Sequence, residues 1–478
     1  MKQKASLSNR KCIRMGKKIT GIFLTGMLFS YILFAQKKPL LIKLDENKVL
    51  CEKFMGFGVE WDTPGYLENN ITDYDFEIIK KRVEWMRFPV ARIMMQAKWC
   101  YKGNRKYDWE SKEMKLLYRN LDLCEKLGIT VFLTDWGCEP SWLKCSEVST
   151  VDEPLYAEII GNYMAWLKIK KRYTCVRYFI FGNEPNLEVK DWERWKAGLL
   201  NVYDELEKRG LHDKVILSGS DHSDGDEWHK MAVDQLQNIL GAYDFHYYHR
   251  VNSKKQVNIY NYFKDSWEYL SNDPNNKNKP RVITEAGIIK INDSYTASHN
   301  SLSDTPKYGI MMTDYAIKAI EAGSWSVIAW MLDNNSHYNF DNGMWKNKAS
   351  GLALKPWFYS WSLLCRYFRP YQNILKANVE GKNTGIRCLA ACGKDEKKGE
   401  KRWTICIVNP SDSTQTVRLQ VDNLKQIKMQ KYIIDLNQPT TDADGFPKPV
   451  QIKKYDLNSG IDISCSGNSL LMLTSLID

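Results

Sequence analysis

No Cys-x-x-Cys pair occurs in this chain of 478 residues. Its 12 cysteines are scattered, and one, Cys12, falls in a leader-like segment, leaving an odd 11. Such spacing indicates neither a zinc site nor a disulfide framework. Cys175 and Cys406 sit inside apolar runs and are expected to act as small core hydrophobes. Cys388 and Cys392 would share one face of a strand, and their pairing stays open. No low-complexity tract and no internal repeat stands out. No GxGxxG or P-loop follows any apolar strand, which argues against a dinucleotide or phosphate cradle.

A basic surface is also missing. The formal charge is +11, but residues 1–35 hold seven Lys or Arg and no acid. Without them, 61 basic residues face 57 acidic ones, a net of +4. That is no footprint for nucleic acid. The segment itself is basic through "MKQKASLSNRKCIRMGKK", then apolar through "ITGIFLTGMLFSYILFA", then polar at "QKKP". It reads as a secretory signal cleaved near Ala35, giving a secreted, periplasmic or cell-surface protein. A retained anchor is the alternative, because about 17 apolar residues approach the roughly 20 a span needs. No Cys follows the run, which argues against a lipoprotein anchor.

What the chain has in quantity is aromatic rings, 17 Trp and 26 Tyr. Most belong in a core or an interface; the remainder suit a surface that holds sugar rings by their flat C–H faces. The length calls for two domains. Short apolar strands alternate with amphipathic stretches over residues 54–365: "FMGFGVEW", "WMRFPVARI", "ITVFLTDW", "VRYFIFGNEP", "KVILSGS", "AYDFHYY", "PRVITEAG" and "WSVIAWML". Alternation of this kind builds βαβ units. Eight of them fit an α/β fold of the closed (β/α)8 TIM barrel type, with an open doubly wound sheet as the alternative. From 366 to 478 short strands with polar turns predict a C-terminal β-sandwich. Residues 36–53 supply early strands expected to join it. "WFYSWSLLCRYFRP" links the two parts and is too apolar for a free linker.

A barrel of this type works at the C-terminal ends of its strands. The residues read there are Arg87 on the second strand, Asp135 and Trp136 on the third, Asn183 and Glu184 on the fourth, His246 and Tyr248 on the sixth, Glu285 on the seventh and Trp330 on the eighth. Two carboxylates with an Arg, a His and aromatics suit glycoside hydrolysis. A glycosidic oxygen is a poor leaving group and needs a proton from a carboxylic acid of raised pKa. That role falls to Glu184, and nucleophilic attack falls to Glu285. Tyr248 shares a strand face with His246 and is placed to hydrogen-bond Glu285.

This ordered set resembles clan A of the retaining glycoside hydrolases. "GNEP" and "TEAG" match its acid/base and nucleophile strands, "HYY" its strand-six His-x-Tyr, Arg87 its strand-two Arg and Trp330 its strand-eight Trp. "DWGCEPSWLK" is similar to a segment of glycoside hydrolase family 30, which also carries a β-sandwich built partly from N-terminal strands. Families 5, 39 and 158 share most of these marks. The resemblance implies a carbohydrate substrate; no cofactor, metal or protein partner is called for. Two other readings stand beside it. One is a metal-dependent hydrolase using His246, His249 and Glu285, although His246 and His249, three apart on a strand, face opposite sides. In that reading the acidic run "DHSDGDE", Asp221 to Glu227, is a further candidate; its ordinary reading is a solvated loop. The other is a non-catalytic glycan-binding barrel, against which the intact pair of Glu argues.

Overall fold

The computed structural model describes residues 39–136, 147–251, 253, 257–290, 300–337, 340–381, 385–394 and 399–477. The signal-or-anchor expectation and most of "DWGCEPSWLK" lie outside them. No helix among the described residues is long and apolar enough to cross a membrane.

Strand β1 is Leu40–Cys51. Eight parallel strands then close a barrel in chain order: β2 (Gly56–Glu60), β3 (Val90–Met95), β4 (Thr130–Asp135), β5 (Val176–Ile180), β6 (Ile216–Ser223), β7 (Ala242–Val251), β8 (Arg281–Lys290) and β9 (Ser326–Ala329). β9 pairs back onto β2, from Gly56↔Ser326 to Val59↔Ala329. Helices fill the connections. The first long one, Asp73–Met86, shows how the sequence sets them. Thr72 caps it reciprocally: the Asp75 amide donates to Thr72 Oγ1 at 3.3 Å and the Thr72 amide to Asp75 Oδ2 at 2.9 Å. The helix ends where Arg87 turns left-handed at φ 51°, and Pro89 then leads into β3.

Side chains alternate in and out of the barrel. Val90, Phe132, Tyr178, Ile180, Ala242, Val282 and Ile328 form an apolar plug inside it, with Phe132 stacked on Tyr178 at 4.2 Å. Every second residue onward from that layer therefore points into the lumen at the C-terminal mouth.

The remaining strands are β10 (Asn373–Glu380), β11 (Arg387–Lys394), β12 (Lys401–Asn409), β13 (Gln415–Val421), β14 (Ile427–Ile434), β15 (Gln451–Tyr455), β16 (Ile461–Cys465) and β17 (Ser469–Thr474). With β1 they make one hydrogen-bonded sheet of nine strands, in the order β15-β14-β17-β12-β11-β10-β1-β13-β16. The predicted sandwich is thus a single curled sheet folded over its own core. β1 lies antiparallel to β10 and parallel to β13. Alternation along β12 separates two cores: Trp403, Ile405 and Ile407 pack inside the curl, while Cys406 and Val408 join the barrel's apolar cluster.

The junction "WFYSWSLLCRYFRP" forms the helix Trp357–Tyr367, buried along its whole length. Trp361 packs edge-on against Phe57 at 5.8 Å and donates to the Gly58 carbonyl at 3.0 Å, on the barrel side. Tyr367 meets Tyr432 of the sheet at 2.6 Å between hydroxyls. Cys388 and Cys392 are both buried free thiols.

Candidate active site

β5 ends at Ile180, and the chain turns sharply through Gly182 (φ 86°) and Glu184 (φ 41°) before Pro185 opens the short helical turn Pro185–Glu188. A non-glycine residue held left-handed costs roughly 1–3 kcal/mol and needs support. Asn186 supplies it by clamping Ser223 of β6, accepting from its amide at 3.0 Å and donating to its carbonyl at 2.5 Å. The Asn183 amide donates to the Asp135 carbonyl at 3.1 Å. This turn aims Glu184 across the mouth. On β7 and β8, His246 stands in register with Glu285.

Arg92 on β3 ties the mouth together. Its Nη1 donates to Glu285 Oε1 at 2.6 Å and Glu60 Oε2 at 2.9 Å. Its Nη2 donates to Asp221 Oδ2 at 2.7 Å and Asn183 Oδ1 at 2.8 Å. The guanidinium is fully buried, which only dense charge-assisted hydrogen bonding sustains. Tyr248 donates to the other Glu285 oxygen at 2.5 Å. Thr284 donates to Asp221 Oδ1 at 2.9 Å. His246 sits between the carboxylates: Nδ1 is 3.1 Å from Glu184 Oε1 and 3.5 Å from Glu285 Oε2, and Nε2 is 3.1 Å from Asp221 Oδ1. An oxygen of Glu184, an oxygen of Glu285 and a His246 nitrogen all lie within 4.8 Å of one another.

Burial opposes a charge on His246, but Asp221, then Glu285 and Glu184, outweigh it and hold the imidazolium up to about 10. Burial pushes Glu184 up, yet the hydrogen bond and charge of His246 pull it further down, below the ordinary carboxylate range. Burial raises Glu285, against His246, Arg92 and the Tyr248 hydrogen bond. Burial lifts Glu60 well above the usual range, against the pull of Arg92. The expectation of a raised Glu184 is therefore corrected for the ligand-free site. The proton sits on His246, one 3.1 Å hydrogen bond away.

Of the residues read from the sequence, Glu184, Glu285, Asn183, His246 and Tyr248 meet here. Trp330, 8% exposed, and half-buried Trp136 wall the same mouth: both pack against His337, at 5.0 and 4.8 Å. Arg87 does not. It is exposed at the end of the helix Asp73–Met86, before β3 begins and so at the opposite end of the barrel. Pro89 was the available signal: it starts the strand after itself, which makes Arg92 the inward arginine. Asp135 is also corrected. Phe132 points into the lumen, so Asp135 points out, where it accepts from Tyr156 of the helix Pro154–Ala165 at 2.6 Å. Burial raises that carboxyl to about 7. Asp221 was read as part of a solvated loop but belongs to β6 and is fully buried. His249 stands opposite Ile288, not Glu285. Among the described residues two groups are compact enough to hold an ion: Glu184, His246 and Glu285, and the fully or nearly buried Glu60, Asp62 and His337. Sequence reading missed Arg92, Glu60, Asp62, Asp221 and His337.

The model of the family described as Cellulase (glycosyl hydrolase family 5) matches residues 44–336. No curated protein matches the chain. Solved structures share the fold at low identity. A family 30 endoxylanase from Clostridium papyrosolvens C71 is 13% identical, with TM-score 0.63, covering 91% of this chain and 99% of its own. An alpha-L-arabinofuranosidase from Thermotoga maritima is 13% identical, with TM-score 0.62 and the same two coverages, 91% and 99%. A family 39 glycoside hydrolase from the gut symbiont Bacteroides cellulosilyticus WH2 is 16% identical, with TM-score 0.59, covering 88% of this chain and 81% of its own. Family 5 is among the clan A families that the sequence left open, and family 30 is among those alike in fold.

Proposed function

The chain belongs to the cellulase family, glycosyl hydrolase family 5, and is a glycoside hydrolase; from that premise we propose that it cleaves a β-glycosidic bond of a polysaccharide or oligosaccharide with retention, Glu285 serving as nucleophile and Glu184 as acid/base. The observation that carries this reading is the spacing. An oxygen of each carboxyl lies within 4.8 Å of the other, which supports the roughly 5–5.5 Å separation of retaining sites over the roughly 6.5–9.5 Å of inverting ones.

In the first step a Glu285 oxygen attacks the anomeric carbon as its bond to the leaving oxygen breaks. The proton for that oxygen comes from the Glu184–His246 pair, passing through Glu184. Arg92 and Tyr248 each donate to one Glu285 oxygen, which opposes the effect of burial on its charge and fixes its direction. In the second step Glu184 takes a proton from water, the oxygen of that water bonds to the anomeric carbon, and Glu285 leaves. Trp330 and Trp136 offer apolar faces to the sugar. The basic-then-apolar N-terminus supports secretion, and the mass of the mature protein from its native host tests it.

Two substitutions test the roles. With a 2,4-dinitrophenyl glycoside, Glu184→Gln should form the intermediate and stall, and azide should restore turnover. Glu285→Gln should lose several orders of magnitude with any leaving group. Azide rescue of Glu285→Gln alone would exchange the two roles. Full activity of both variants would remove the mechanism.

A further inference from the structure

Beyond β9 the chain runs through Trp330 into an irregular loop fixed by its own hydrogen bonds. Asp333 Oδ1 accepts from the amides of Asn335 and Ser336 at 3.1 and 2.8 Å and from the Ser336 hydroxyl at 2.7 Å. Its Oδ2 accepts from Tyr66 at 3.0 Å and Trp345 at 3.1 Å. This anchoring delivers His337 to the mouth, 3% exposed. Its ring lies 4.8 Å from Trp136, 5.0 Å from Trp330 and 5.3 Å from Phe340. Trp136, Trp330 and Phe340 belong to the apolar cluster that also contacts Tyr248, the donor to Glu285. His337 therefore borders the pocket in which Glu285 works.

Its orientation is set from behind. Nε2 donates to Asp62 Oδ2 at 2.6 Å, and Asp62 Oδ1 accepts the Met94 amide at 2.6 Å. Asp62 in turn neighbours Glu60, which accepts from Arg92. With Nε2 committed to Asp62, Nδ1 is the ring nitrogen left for a ligand, and it has no hydrogen-bond partner among the described residues. A histidine and a carboxylate buried in an aromatic wall are costly where a phenylalanine would pack. Binding pockets place a few fixed polar groups in apolar walls for this purpose.

We infer that His337 is a specificity-determining residue, accepting at Nδ1 a hydrogen bond from one hydroxyl of the sugar held between Trp136 and Trp330, with Asp62 as its positioning residue. This rests on the hydrolase reading above.

The test uses the 4-nitrophenyl β-glycosides of glucose, xylose and mannose, then the monodeoxy derivatives of whichever the wild type turns over best. His337→Phe should lower kcat/KM on the parent glycoside by about ten- to a hundredfold, the worth of one strong hydrogen bond, and leave one deoxy analogue nearly unaffected. His337→Asn, whose amide falls where Nδ1 was, should recover part of the preference for that hydroxyl. His337→Gln, whose amide falls at the Nε2 position and keeps only the Asp62 contact, should not. That comparison decides the matter even if phenylalanine disturbs the loop. Equal losses on every analogue, or no loss at all, overturn the inference while the hydrolase reading stands. A wild type inactive on all three glycosides and on cello- and xylo-oligosaccharides removes both.

Discussion

Replacing Arg92 by methionine keeps most of the side chain's length and removes its charge and five donors. The structure fixes what is left behind: Asp221, Glu285 and Glu60, all buried, and Asn183. Removing one partner from a buried ion pair costs about 3–5 kcal/mol, because the other charge stays in the interior unpaired. The cost must depend on pH in a defined direction. Burial raises the Asp221 carboxyl, but Arg92 first and His246 second hold it well below the usual range. A depressed carboxylate stabilises the fold above its ordinary pKa and loses that contribution as pH falls. The variant lacks most of this contribution, and its orphaned Glu285 gains a proton more readily. The stability gap between wild type and Arg92→Met should therefore be full at pH 7 and narrow as pH falls through about 4, the ordinary carboxylate range, and below. Urea unfolding followed by tryptophan fluorescence at several pH values measures it. Arg92→Lys keeps the charge but cannot span four acceptors, so it should recover stability and still lose most kcat. Equal stability of Arg92→Met and wild type at pH 7, or a gap that widens in acid, would refute the account of Arg92 as the charge at the centre of the site.

Asp221→Asn removes the largest influence holding the proton on His246, so the alkaline limb of kcat/KM should move to lower pH; an unmoved limb would detach His246 from proton delivery. Trp136→Ala should raise KM by an amount equivalent to about 1–3 kcal/mol with little change in Tm, whereas Trp330→Ala, 8% exposed, should lower both binding and Tm. Trp361→Ala at the junction should cost about 3–5 kcal/mol and lower one common unfolding transition; two separate transitions would show that barrel and sheet unfold apart.

The eight barrel strands were legible because a parallel sheet covered on both faces needs continuous apolar runs, and those runs stand out from the amphipathic stretches between them. Glu184 and Glu285 were legible because each follows its run directly. Arg92 and Asp135 were misread for a countable reason. Pro89 shifts the start of β3, and the inward face of β4 is Phe132, Thr134 and Trp136, so register places Arg92 inside and Asp135 outside. Asp221 was hidden by composition, since "DHSDGDE" looks like a loop although its first residues complete β6. His337 lies seven residues past Trp330, its ring neighbour just beyond β9, in a loop no periodicity describes. The pairings of β1 with β10 and β13 join segments more than 300 residues apart, and nothing local encodes them.

The protonation state was the least legible feature, because it depends on distances between residues on different strands. From sequence, a carboxyl that must deliver a proton is expected to hold it. In the folded site His246 lies between Asp221 and the two glutamates, and a base surrounded by three carboxylates outcompetes any one of them. Glu184 is thereby lowered and His246 raised, so one proton lies between them on the His246 side. This arrangement has a chemical use. In the proposed mechanism, Glu285 loses its charge as it bonds to the sugar, and His246 loses one of the anions holding its proton. That proton leaves through Glu184 with the departing oxygen, so His246 is then neutral and Glu184 is the carboxylate that takes a proton from water. On that mechanism the same pair gives a proton in the first step and receives one in the second, and the charge on Glu285 decides which.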